Sequence, residues 1–171
     1  SGICNIPILN ITSNIGVILD IAGLTIPTVN VTSVGVSFFL QLNSMPTFTT
    51  LALLNSSFPL VFKGGNGFIT SELRIVTGTV IKNIIFESGV EYIVNDIMNI
   101  SDANFSSSIS GVKALLTLGQ NINQLKALNI TATDIDSSNG VRVNNFFGTA
   151  TNCDNWRIWT DCTLPQVSST F

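Results

Sequence analysis

Two apolar residues at offsets 0 and 2, followed by two more at about 5 and 7, recur along this chain and limit its fold more than any other feature. Leu19, Ile21, Leu24 and Ile26 carry the pattern, and so do Val29, Val31, Val34 and Val36. Looser copies follow at Leu40, Leu42 and Met45 and at Leu51, Leu53 and Phe58, with starts about ten or eleven residues apart. It returns at Leu73, Ile75 and Val80 and at Leu128, Ile130 and Ile135. A spacing of two is the period of a strand, so these segments are expected to be β. Offsets 0 and 2 point to one face of a strand, whereas 5 and 7 have the opposite parity. Something must reset the face between the two pairs: a bulge, a tight corner, or burial on both sides.

Short strands at this interval suit an antiparallel β-sandwich or jelly-roll-like single domain, which is the expected architecture. Corners on a period near 21 would instead suit a β-solenoid, the alternative. The pattern changes character after Phe86. Ser88 and Glu91 have capping-box spacing, and Val90, Ile93, Val94 and Ile97 lie at helical intervals, predicting a short helix from Gly89 to Met98. A second helix is predicted between Val112 and Ala127 from Val112, Leu115, Leu116, Ile122 and Leu125, with Gly119 weakening it. Ser101 to Gly111 reads as a loop, and Leu128 to Leu164 as strand interrupted by the turn dipeptide Asn139-Gly140. At 171 residues one domain is expected: residues 1–14 as an N-terminal extended segment able to act as a donated strand, and 15–171 as the β-rich domain.

Charge narrows the function. Between Ser1 and Phe62 only Asp20 is ionised, and charged residues make up 10% of the chain where about 25% is usual. Ser, Thr and Asn take their place. A neutral stretch this long predicts burial in an assembly, a carbohydrate coat or lipid. Seven Lys and Arg against ten Asp and Glu form no basic cluster, so no nucleic-acid partner is expected. The absence of histidine removes the commonest general base and metal ligand, and with no catalytic motif the chain is read as not an enzyme, with no cofactor and no metal site. No run of 18 apolar residues exists, so no helical membrane span is expected; a transmembrane barrel would need aromatic girdles, and the chain has one Tyr and two Trp. The opening residues show no basic segment followed by an apolar core, and no signal peptide is expected within the chain.

Six Asn-x-Ser/Thr acceptors, at Asn10, Asn30, Asn55, Asn99, Asn104 and Asn129, are glycosylation candidates, although strand positions also make some of them plain outward polar residues. Cys153 and Cys162 are close enough in sequence for a corner to bridge them, which leaves Cys4 for an intersubunit bond; three buried thiols are the other reading. Asp134, Asp136, Ser138 and Asn139 crowd oxygens into a turn, but with Asn139 and Asn145 where a calcium loop wants Gly and Glu, a polar turn is expected. Glu87 and Glu91, four apart, have the spacing of paired acids and are read as structural. Trp156, Trp159, Phe146, Phe147 and Phe171 concentrate aromatics near the C-terminus, as a subunit anchor or as core.

The function expected from these features is that of a structural subunit of an extracellular filament, pilus-like thread or virion surface, located outside the cell or on the cell or virion surface. It would be a homopolymer, self-assembling through β-strand pairing between copies, with Ile3, Ile6, Ile8 and Ile11 as the assembly residues. The alternative is a glycan- or receptor-binding β-module of a phage fibre or adhesin, for which Trp156, Trp159 and Asn155 are the best offer. Glycans, attached or bound, are the other partner anticipated.

Overall fold

The protein is described from a computed structural model that covers residues 6–13, 15–20, 25–33, 39–53, 59–75, 83–119 and 124–160. Its strands are β1 (Ile8–Ser13), β2 (Val17–Leu19), β3 (Thr25–Ser33), β4 (Phe39–Leu42), β5 (Thr47–Leu53), β6 (Leu60–Lys63), β7 (Ile69–Ile75), β8 (Asn83–Phe86), β9 (Glu91–Ser107), β10 (Ala114–Leu118), β11 (Gln124–Thr133), β12 (Ile135–Asp136), β13 (Val143–Phe146), β14 (Thr149–Thr151) and β15 (Trp156–Trp159). Among the described residues every strand pairing is parallel, and the one antiparallel contact is an isolated bridge between Ile109 and Val112. Each strand pairs with its counterpart one turn later: Ile8 with Thr28, Thr28 with Thr50, Thr47 with Ile69, Ile69 with Ile93. The result is a β-solenoid of about five turns.

The antiparallel sandwich is therefore corrected to an all-parallel coil. Both architectures use short strands at regular spacing, and periodicity does not distinguish pairing within a meander from pairing one turn later. Odd- and even-numbered strands form separate ladders, β1-β3-β5-β7 and β2-β4-β6-β8, which meet at the long strand β9.

A change of face occurs at a corner inside each long strand, between one copy of the apolar pattern and the next; the resets deduced within the copies at Leu19 to Ile26 and Val29 to Val36 fall on residues 21–24 and 34–38, outside the described residues. In β3 the inward residues are Ile26, then Val29 and Val31; in β5 Phe48, then Leu51 and Leu53; in β7 Thr70, then Leu73. The step of three skips Pro27, Thr49 and Ser71, the positions where the register skips as well. Pro27 has no N–H to leave unpaired at that break. Below Ser71, the Thr70 hydroxyl donates to the Glu72 carbonyl at 2.8 Å. In β9 the register against β7 shifts between Thr70 and Glu72, so its inward set runs Tyr92, Val94, Met98, Ile100.

The apolar set Val90, Ile93, Val94 and Ile97, expected to form one helical face, is divided between the two faces of a strand: Val90 and Val94 are buried, Ile93 and Ile97 half-buried. Among the described residues there is no helix. Gly89–Met98 is a turn followed by strand, and the four-residue step from Val94 to Met98 comes from the bulge, not from a helical turn. Val90, Ile93, Val94 and Ile97 are β-branched and suit the strand that forms. Ser88 caps nothing helical: its hydroxyl meets those of Ser107 and Ser108 on the next turn, at 2.6 and 3.1 Å. The expected loop Ser101–Gly111 is strand as far as Ser107, and the second expected helix is β10 and the start of β11. Gly119, which had weakened that helix, lies so near the Asn95 backbone of the preceding turn that a side chain would collide with it.

Inside, like sits on like. Val29, Leu51, Leu73 and Met98 form one column and Val31 and Leu53 part of another. Phe62, Phe68, Phe86, Tyr92 and Phe105 form a continuous aromatic stack, with ring centroids 4.9 to 5.7 Å apart along it. The Tyr92 hydroxyl accepts the Glu87 N–H at 3.0 Å, and burial pushes its pKa up.

Outside, the coil explains the missing charge. Outward residues stack about 4.8 Å apart, where like charges repel and Thr, Ser or Asn ladders do not. Thr12 pairs with Thr32, Thr25 with Thr47, Thr131 with Thr149, and Thr133 with Thr151. Corners later in the chain use left-handed Asp and Asn: Asp102, Asn129, Asp134, Asn152 and Asn155 have φ between 50 and 62°.

Candidate functional site

The two strands of the first turn, β1 and β2, are each hydrogen-bonded to one neighbour among the described residues, β3 and β4 respectively. Among the described residues nothing pairs with their other edges. Alternation sends Ile11 and Leu19 inward, 7% and 8% exposed, and leaves Ile8 and Ile18 55% and 60% exposed. Ile6 and Ile15 are exposed beside them. The first turn thus exposes four large aliphatic side chains, two before or on β1 and two before or on β2, and the one ionised group of its sequence is the exposed Asp20. Among the described residues this edge carries none of the Lys residues, bulges or covering loops that usually block pairing with another chain.

Of the assembly residues anticipated from sequence, Ile6 and Ile8 lie on this surface, Ile11 belongs to the core, and Ile3 falls outside the described residues. The segment expected to reach away as a donated strand is, over Ile8–Ser13, the first strand of its own ladder, in register with β3. Ile15 and Ile18 were missed; their signal was the break of strand parity after Ser13, which places Leu19 inside and Ile18 outside.

The acceptor asparagines face outward. Asn30 donates to Asn10 on the turn before at 2.8 Å, Asn104 donates to Asn83 at 2.6 Å, and Asn129 donates to the Asp102 carboxylate at 2.9 Å. Asn99 is exposed in the register column of Arg74. Asn55, Cys4, Cys162 and Phe171 lie outside the described residues. Cys153 is an unbridged, half-buried thiol among the described residues; its S–H points to the Thr151 carbonyl at 3.3 Å, and burial raises its pKa.

The carboxylates are taken up by the turns. Glu87 accepts the Gly65 N–H at 2.8 Å and Glu91 the Thr117 hydroxyl at 2.6 Å, each tying one turn of the coil to another. Asp134 accepts the Gly111 N–H at 2.8 Å and the Asn152 amide, and both bonds hold its pKa below the ordinary carboxylate value. Asp136 is lowered by the hydroxyl and then the N–H of Ser138. Both groups are more acidic folded than unfolded, so their contribution is complete above the unfolded value of about 3.9 and disappears as pH falls through the lower folded values. The melting temperature is expected to be level near neutrality and to fall below about pH 4. Asp134→Asn should flatten that acid limb, and a limb of unchanged steepness in scanning calorimetry would contradict the assignment.

Near the C-terminal end, Phe146 stacks on Trp159 with centroids 6.2 Å apart, and the Trp159 indole N–H donates to Asn144 at 3.2 Å. Asn145, beside it, is fully buried: its Oδ1 accepts the Ile130 N–H at 3.1 Å and its Nδ2 donates to the Ile130 carbonyl at 2.7 Å. Comparison with protein-family models, curated proteins and solved structures matches this chain to none of them.

Proposed function

We propose that this chain is a structural building block of an extracellular filament, fibre or surface layer, extended by laying one coil on the end of another. The observation that carries the reading is the first turn: two strand edges open among the described residues, with Ile6, Ile8, Ile15 and Ile18 exposed around them. A second copy supplies what such an edge lacks, a parallel strand at the same rise and an apolar side chain to sit on each isoleucine. At the other end β14 and β15 likewise have one neighbour each among the described residues, so head-to-tail contact would repeat without closing and produce a rod. The neutral outward ladders of Thr and Asn support a role outside the cell, where polar uncharged flanks keep a rod soluble and can carry glycans.

Purified protein is expected to form rods by negative stain and a concentration-dependent oligomer series by light scattering. The double variant Ile8→Lys, Ile18→Lys should remain a monomer with an unchanged far-ultraviolet spectrum, because both side chains already face solvent. A wild-type protein that stays monomeric up to its solubility limit would overturn the reading.

A further inference from the structure

We infer that the open cleft at the C-terminal corner of the coil is a binding site for an acidic saccharide. The cleft measures about 770 Å³ and is lined by Ser138, Gly140, Arg142, Asn155, Trp156 and Arg157. That volume lies within the range of roughly 300–1,000 Å³ that holds small-molecule ligands. Two of the seven basic residues in a chain of net charge −3 meet in it.

Among the described residues both guanidinium groups are positioned without a neutralising carboxylate. Arg142 Nε donates to Asn155 Oδ1 at 3.4 Å, and Asn155 is itself held by its Nδ2 on the carbonyls of Ser137 and Gly140, at 2.9 and 3.2 Å. Asn155 reaches across because its backbone sits in the left-handed region, at φ 62°. Arg157 lies over the Trp159 ring, 3.9 Å from its centroid. Among the described residues the ion pair formed is Lys113 with Asp154, so neither arginine has a carboxylate partner there. Trp156, whose indole N–H is fixed on the Ser137 hydroxyl at 3.1 Å, supplies an aromatic wall.

An arginine fork matches a carboxylate or sulfate in two hydrogen bonds, and a serine hydroxyl and an indole wall suit the hydroxyls and the C–H face of a sugar ring. Among the described residues the lining holds no aliphatic side chain that would take up a peptide's apolar group. The net negative charge of the whole protein opposes a long phosphate backbone, which leaves a short polar ligand with one or two negative groups.

The test is titration of the intact chain, followed by tryptophan fluorescence and calorimetry. The probes are an oligogalacturonate, a sulfated oligosaccharide, a neutral oligosaccharide of equal length, and inorganic sulfate. At least one acidic oligosaccharide is expected to saturate the site, with affinity falling as salt rises, and the neutral one to show no binding. Arg142→Gln and Arg157→Gln should each weaken binding about tenfold, the loss of one charge-assisted pair. Arg157→Lys, which keeps the charge but loses the fork, should weaken it several-fold while melting like the wild type. Three results would overturn the inference: no acidic saccharide binds, inorganic sulfate binds as tightly as the oligosaccharides, or the arginine variants melt normally and bind unchanged.

Discussion

Asn145→Ala is expected to destabilise the protein by roughly 3–5 kcal/mol, the cost of two buried backbone groups left without partners at about 1–3 kcal/mol each plus a small void. The side chain stands in for a missing strand. β11 pairs with β13 through Ala127 and Leu128 and with β14 through Thr131 to Thr133, and between these the chain turns at Asn129 and Phe147, both at positive φ. The N–H and C=O of Ile130 fall in that gap, and Asn145 meets both. Leucine at this position would fill the space and still leave both groups unpaired, so Asn145→Leu should be nearly as damaging. Exposed Asn99→Ala should change stability by less than about 0.5 kcal/mol. Urea unfolding of the three variants checks this, and a loss below about 1 kcal/mol for Asn145→Ala would show that Ile130 finds other partners.

Phe62→Ala should cost about 3–5 kcal/mol and lower the melting temperature by roughly 10 °C or more. Phe62 is 1% exposed and touches the rings of Phe68, Phe86 and Tyr92, on its own turn and the next, so its removal opens a void that neighbouring turns close poorly. Phe62→Leu, which keeps most of the volume, should cost less than about 2 kcal/mol. In a coil each turn touches its neighbours alone, so the damage should be local. Hydrogen exchange is expected to rise most in β4, β6, β8 and the start of β9. Uniform loss of protection along the whole chain, or a cost of the alanine variant no larger than that of leucine, would count against a stacked aromatic core.

The two sites differ in how readable they were. The aromatic stack was legible only in part: Phe62 and Phe86 end the apolar runs Leu60-Val61-Phe62 and Ile84-Ile85-Phe86, but their meeting depends on successive turns lying on top of one another, Leu60 pairing with Ile84. Asn145 gave no signal, since an Asn inside Val-Asn-Asn-Phe reads as an outward polar residue. The arginine cleft was equally hidden. Arg142 and Arg157 are 15 residues apart in a region where β13 pairs with β15 at a spacing of 13, while Thr131 pairs with Thr149 at 18 and Glu91 with Leu115 at 24. Such drift in turn length keeps a solenoid from showing a clean repeat. The first-turn surface was legible in part: the uncharged opening pointed to it, but charge scarcity turned out to belong to the outward ladders of the coil as well.

From its order of residues alone this chain was committed to strands, because spacings of two dominate it, and to a corner between successive apolar pairs, because their parity changes. Those are local properties, decided within a few bonds of each residue. Whether neighbouring strands run back antiparallel or stack after a full turn is a contest between contacts distant in sequence, and it was decided by the corners at Pro27, Thr49 and Ser71, which turn the chain without reversing it. Only that stacking sets Phe62 on Phe86, Asn145 on Ile130 and Arg142 beside Arg157, and leaves the isoleucines of the first turn facing water.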